Sequence, residues 1–246
     1  MLKKNVIFRT FFIYSIIFEL MNDMSCSLCI YKSAAAQKLN ADEISILENN
    51  HAKVQFNAGD IIVKQDCLST NVAYIKSGLV KIHMRGPIRE RIIKITKAPT
   101  YLCLPSFFGD KTNHFSVTAL EETHVCFFDV NVFKNFIYSN GDFAFQIILE
   151  MSKNELMNFE NCINNSQKQN IGRIADAILF FADKIYNSDT FILPISRQEL
   201  ADLAGITRES ASRILTDFHN EKIIDLQNRQ LTILNKQLLL EISEKG

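Results

Sequence analysis

From Phe145 to Ile163 the chain carries a single seam: Phe145, Leu149, Ser152, Leu156, Phe159 and Ile163 follow one another at intervals of four, three, four, three and four residues. That spacing keeps the side chains on one face of a helix about 25 residues long. The other faces of this segment are polar, so the seam needs a partner. Two partners are available, the helix's own neighbouring domain or a second copy of the chain in a parallel coiled coil, and the second is the favoured reading. The helix also divides the chain in two. The 246 residues suffice for two modest domains, each with its own core, and the patterning differs on either side.

Before the seam, short β-branched and aromatic runs alternate with turn residues. They are Val54 to Phe56, Ile61 to Gln65, Val72 to Lys76, Leu79 to Met84, Arg91 to Thr96, Phe115 to Leu120 and Val125 to Val130. Gly59 and Gly78 stand between runs, where positive φ is needed. The pattern predicts an antiparallel β-roll, a sensor-like domain over residues 25–140. A short helix from Ala41 to Glu48, capped by Asn40, precedes it. The long helix takes 141–166, and 167–246 form a helical second domain opened by Ile171 to Tyr186, whose Ile174, Ile178, Phe181 and Ile185 share a face. The fold class is therefore α+β.

Residues 1–24 read as a leader outside the fold. The apolar run from Thr10 to Phe18 is too short to span a bilayer, and Glu19 follows it without a small-residue cleavage site. A misassigned start, with the true one at Met21 or Met24, is the favoured reading; a membrane-surface helix is the alternative. No membrane partner is expected. Cysteines at 26, 29, 67, 103, 126 and 162 make no regular disulfide framework, which points to a reducing cytoplasm.

The densest local signal lies near the C-terminus. Ser196-Arg197-Gln198-Glu199 is a capping box, which starts a helix at Arg197. Ala204-Gly205-Ile206 stops it, with Gly205 supplying the left-handed conformation of a tight interhelical turn. Thr207 then caps a second helix, Arg208 to about His219. Ala211, Ile214, Leu215 and Phe218 fall on one face of it, and Arg208, Glu209, Ser212, Arg213 and Thr216 on the other. The small Ala201 lets the two helices cross closely. Ile223 to Leu226 and Leu231 to Leu234 flank Gln227 to Gln230 as a two-stranded wing. The segment reads as a winged helix-turn-helix.

Its exposed face carries the side chains that read base edges in a major groove. Arg208 and Arg213 can each donate twice to guanine, Glu209 can accept from cytosine, and Ser212 can serve either role. Arg197, Gln198 and Thr207 are placed to hold phosphates, which fixes register without reading sequence. A plainer reading makes Glu209 and Arg213, four apart, a surface ion pair. Net charge gives no help: Lys plus Arg and Asp plus Glu are 27 each, and ten cations from Lys168 to Lys245 face eleven carboxylates from Asp176 to Glu244. DNA binding must then come from local geometry rather than from a global field.

With these residues in view, the chain after Cys26 resembles the Crp/Fnr family of bacterial transcription factors. Ile206-Thr207-Arg208-Glu209-Ser210-Ala211-Ser212-Arg213-Ile214-Leu215 is similar to that family's recognition helix. Glu209, Ser212 and Arg213 match the version of the Fnr branch, which implies TTGAT-like half-sites. Arg208, Glu209 and Arg213 also match the cyclic-AMP receptor branch. The resemblance implies a cyclic-nucleotide-binding-type roll, a dimerisation helix, a homodimer on an inverted repeat and contact with RNA polymerase.

The sensor departs from its relatives. Cyclic-AMP binders carry a Glu for the ribose and an Arg for the phosphate, where this chain has Pro105 and Phe115. An unpaired buried phosphate is prohibitive, so no cyclic-AMP response is expected. Cys26, Cys29 and Cys126 resemble three of the four thiol ligands of the Fnr iron–sulfur cluster, but Ala35 stands at the fourth position. The thiols read as small buried hydrophobes, with a cluster as the alternative. His83, His114 and His124 are lone strand histidines, structural before they are haem ligands. No metal site is assigned, and the effector stays open between an unknown small molecule and none. An enzyme is not expected, for the sequence has no phosphate loop, nucleophile elbow or HExxH motif. The rival reading is a ligand-binding or redox-sensing module whose winged helix contacts protein.

Overall fold

The computed structural model describes residues 25–246, so the expected leader lies outside the described residues. After a turn of 3-10 helix at Ala36–Lys38, α1 (Ala41–Asn49) starts from Asn40, whose side chain accepts from the Glu43 amide while Glu43 returns to the Asn40 amide. Eight strands then build a roll of two antiparallel sheets. One sheet has the order β1 (His51–Phe56), β8 (Thr123–Asp129), β3 (Asn71–Ser77), β6 (Thr100–Leu102); the other has β2 (Ile61–Val63), β7 (Ser116–Ala119), β4 (Leu79–Arg85), β5 (Glu90–Lys97). Ile75, Val80, Val117 and Val125 are fully buried between them. Gly78 turns β3 into β4 at φ +109°, and a Cβ there would collide with Thr123, so the tight corner requires glycine.

Two helical pieces cover one end of the roll in ways the strand pattern did not predict. A short α2 (Leu104–Phe108) follows β6, and α3 (Val130–Ser139) begins where a strand was expected to end, because the Asp129 carboxylate caps it by accepting from the amides of Asn131 and Val132. Then α4 (Gly141–Gln167) runs 27 residues from the Asn140 cap. Its first turns pack on the roll through Phe143 and Ile147, with the Phe133 and Phe143 rings 5.2 Å apart. Those two residues lie off the seam. The seam itself is open: Phe145, Leu156, Phe159 and Ile163 are each more than half exposed.

The chain leaves α4 at Lys168, whose ammonium bonds Asp176 at 2.7 Å and so ties the bend to the next helix. The expected single helix from Ile171 to Tyr186 is α5 (Asn170–Phe180) followed by a π-helical stretch, Phe181–Tyr186. Then come β9 (Thr190–Ile192), α6 (Arg197–Ala204), α7 (Arg208–Asn220), β10 (Ile224–Gln227), β11 (Gln230–Ile233) and α8 (Lys236–Lys245). The wing has three strands, in the order β10-β11-β9, since Phe191 pairs with Leu231 across from the predicted hairpin. The core of this half contains Ile174, Ile178, Leu200, Leu215 and Phe218, and it also takes in Leu79, Ile92 and Ile95 from the roll. The two halves therefore share buried apolar surface, worth on the order of 1.5–3 kcal/mol for each large side chain fully removed from water.

Candidate nucleic-acid interface

Local chemistry places each part of the motif. The Glu199 amide donates to Ser196 Oγ at 3.2 Å and the Ser196 amide to Glu199 Oε2 at 2.8 Å, so the capping box is complete. Gly205 ends α6 in the left-handed region at φ +68°, and the Ile206 amide closes back on the Ala201 carbonyl at 3.0 Å. The Ser210 amide donates to Thr207 Oγ1 at 3.2 Å and starts α7. Ala201, Ala204, Ala211 and Leu215 are buried in the shared core of the two helices; the three small alanines allow the close crossing.

The opposite face of α7 is solvated. Arg208, Glu209 and Arg213 are exposed, and Ser212 is half-buried with its carbonyl accepting from Thr216 Oγ1 at 2.9 Å. Among the described residues, no ion pair involves Arg197, Arg208, Glu209 or Arg213. The plain alternative, a Glu209–Arg213 surface pair, is therefore not what the structure shows. Glu209 instead sits in the first turn of α7, where a carboxylate complements the helix dipole. On α6, Arg197 is exposed and free to reach an anion, whereas Gln198 Nε2 already donates to Asp202 at 3.0 Å. Thr207 is committed to capping and donates to Ser210 Oγ at 3.1 Å.

Contacts from the roll reach this motif, and the sequence reading did not anticipate them. Lys81 on β4 meets Glu199 Oε1 at 2.6 Å, so one carboxylate both caps α6 and binds the sensor. Arg89 Nη1 donates to the Ile206 carbonyl at 3.0 Å, and Arg91 packs so closely on Gly205 that a Cβ there would overlap its guanidinium. Burial alone would raise the Glu199 carboxyl, but the bonds from Lys81 and Ser196 outweigh it and hold its pKa below the usual carboxylate value. The signal available in the sequence was the run of cations between Lys81 and Lys97.

A second feature lies between the roll and α4, a cavity of about 470 Å³. Pro105 and Phe115 line it, together with Met151 and Glu155. Lys94 also lines it and donates to Asn154 Oδ1 at 2.5 Å; burial lowers its pKa, against the pull of Glu150. The structure brings Cys26, Cys29 and Cys126 near one another. Cys26 and Cys126 are buried and Cys29 is half-buried, Ala35 is packed in the same core, and no group of three or more His, Cys, Asp or Glu among the described residues is placed to hold a metal ion. Burial pushes the Cys126 thiol up to about 11, so without a metal it stays protonated at neutral pH. His83 has both ring nitrogens engaged, by Thr118 and by Glu90. His114 meets Asp110 and His124 meets Glu122.

Residues 53–140 match the cyclic nucleotide-binding domain, and residues 172–242 match the Crp-like helix-turn-helix domain. The chain belongs to the Crp/Fnr family. It is similar to the nitrogen fixation regulation protein FixK of Bradyrhizobium diazoefficiens, 24% identical over 220 residues, which cover 87% of this chain and 92% of that protein. In fold it resembles FixK2 from Bradyrhizobium japonicum, with a TM-score of 0.71 at 18% identity over 80% of this chain and 98% of that one. A protein from Eubacterium rectale assigned to the Crp/Fnr family gives a TM-score of 0.74 at 16% identity, over 85% and 97%. The Crp/Fnr family consists of transcription regulators rather than enzymes, and among the described residues no helix is long and apolar enough to cross a membrane.

Proposed function

We propose that this Crp/Fnr regulator is a cytoplasmic homodimer that reads an inverted repeat of TTGAT-like half-sites in double-stranded DNA and does not respond to cyclic AMP. The observation that carries the reading is the outer face of α7, where Arg208, Glu209 and Arg213 stand exposed and outside any ion pair of the described residues. Side chains held by no partner on a rigid helix are ready to meet base edges, Arg at guanine and Glu at cytosine, with Ser212 beside them. Arg197, at the start of α6, takes a phosphate, and Gln198 and Thr207 flank it.

Dimerisation is supported by the open seam of α4. Paired along that seam, two protomers would present their recognition helices about 34 Å apart, one turn of B-DNA. The bound dimer then contacts RNA polymerase. Independence from cyclic AMP is supported by Phe115 and Pro105, which line the cavity where a phosphate and a ribose would need an Arg and a Glu. Lys94 is the cation present there, and it is engaged by Asn154 on α4. A different small effector remains compatible with the cavity's mostly apolar wall.

Selection of bound duplexes from random DNA tests the reading. Enrichment of a palindrome with TTGAT-like arms is the expected result. Failure to enrich any sequence would favour the rival, a ligand-binding or redox-sensing module whose winged helix contacts protein, which the near-neutral charge of the C-terminal half accommodates.

A further inference from the structure

The C-terminal half has an electrostatic deficit for the role just proposed. B-DNA carries one negative charge per about 1.7 Å of axis, and most of a regulator's non-specific affinity comes from neutralising it. Yet ten cations from Lys168 to Lys245 are offset there by eleven carboxylates. The hairpin of β4 and β5 has the opposite balance. Between Leu79 and Lys97 it carries Lys81, Arg85, Arg89, Arg91, Lys94 and Lys97 against the single carboxylate Glu90.

This hairpin lies against the helix-turn-helix itself. Arg89 Nη1 bonds the carbonyl of Ile206, the residue immediately before the Thr207 cap of α7. Lys81, Lys94 and Lys97 are committed to Glu199, Asn154 and the Ile185 carbonyl. Arg91 is half-buried on Gly205 and acts as a buttress. Arg85 and Arg89 are exposed, and neither is in an ion pair of the described residues; Glu90 is taken by His83.

We propose that Arg85 and Arg89 form a second DNA contact, in which the sensor hairpin holds backbone phosphates beside the segment read by α7. The inference rests on the DNA-reading role of α7. Its basis is that the Arg89–Ile206 bond fixes the hairpin in the frame of the recognition helix, and a duplex seated on that helix runs its phosphates along both sides of the groove. Guanidinium forks match phosphate geometry, and a guanidinium with one N–H committed to Ile206 keeps others to give. Such contacts fix register and add affinity but carry no base preference.

The test compares full-length wild type with the double variant Arg85→Gln/Arg89→Gln on the selected operator with long flanks, across a salt titration. In a dimer the variant removes four phosphate contacts, so the slope of log K against log salt should become shallower by roughly 3 to 4. Affinity for operator and for scrambled duplex should fall by the same factor. The Arg85→Lys/Arg89→Lys variant should keep most of the slope, because it keeps the charges. An unchanged slope in the Gln variant overturns the proposal, as does a Lys variant damaged as much as the Gln one, which would reduce Arg89 to its bond with Ile206. Unchanged DNA binding with lost transcription output would assign the tip, where Ile88 is 94% exposed, to a protein partner instead. If wild type selects no sequence at all, the DNA-reading role itself fails, and this proposal with it.

Discussion

Leu156→Asp on the α4 seam puts the proposed dimer to a quantitative test. Leu156 is 62% exposed in the protomer, so little of its side chain contributes to the protomer's own core. Full burial of a leucine stabilises by about 1.5–3 kcal/mol, and burying the exposed part in a dimer should contribute about 1–2 kcal/mol. A two-fold interface uses the residue twice, which doubles the loss to about 2–4 kcal/mol. At 1.4 kcal/mol per tenfold, the dimer dissociation constant should rise about 30- to 700-fold. A carboxylate facing its copy across the seam adds repulsion, so these values are a lower bound. Sedimentation equilibrium over a range of concentrations reads the constant. Circular dichroism should show an intact fold, because exposed positions tolerate change within about 0.5 kcal/mol. A variant that dimerises as wild type does, or one that unfolds as a monomer, would refute the assignment of this seam.

Arg213→Ala should weaken operator binding by about 1–3 kcal/mol and relax the preference at one base pair, whereas Arg197→Ala should weaken all sequences alike; competition binding against single-base operator variants separates them. Glu199 has a depressed pKa, so its contribution to stability is fully present above the ordinary carboxylate range and is lost as pH falls through its lowered value. Thermal unfolding of wild type and Glu199→Gln should therefore differ at neutral pH and converge only as the pH falls through that lowered value, and a constant gap would show that the Lys81 and Ser196 bonds do not act through the ionised form. Calorimetry with cyclic AMP should give no heat of binding at micromolar concentrations; a micromolar site would mean that Lys94 serves the phosphate in place of the missing Arg.

Much of the architecture was legible in order of sequence. Strand runs with Gly59 and Gly78 between them, the four-three seam of α4, the Ser196 capping box and the Gly205 stop are all written within a few residues of where they act. Helix and strand periods are local properties, and so are caps, which explains why α6 and α7 were placed to within a residue. Errors fell where a local signal was ambiguous. Val130 is β-branched and reads as strand, but the Asp129 cap makes it the first residue of α3, and the three-residue β9 is too short to show a period.

Sequence by itself determined which side chains share a face: the outward set Arg208, Glu209, Ser212 and Arg213, and the apolar row that buries α7. It also placed Pro105 and Phe115 where the resemblance to cyclic-AMP binders leads one to expect a Glu and an Arg. Only tertiary structure decided what those faces meet. Lys81 finds Glu199 across 118 positions, Arg89 finds Ile206 across 117, and Leu79, Ile92 and Ile95 enter the core of the other half. Lys94 likewise turns inward to Asn154 over the cavity. The physical reason is that periodicity and capping act over one turn of chain, whereas contacts between halves depend on how two finished surfaces fit, and no spacing along the chain encodes that.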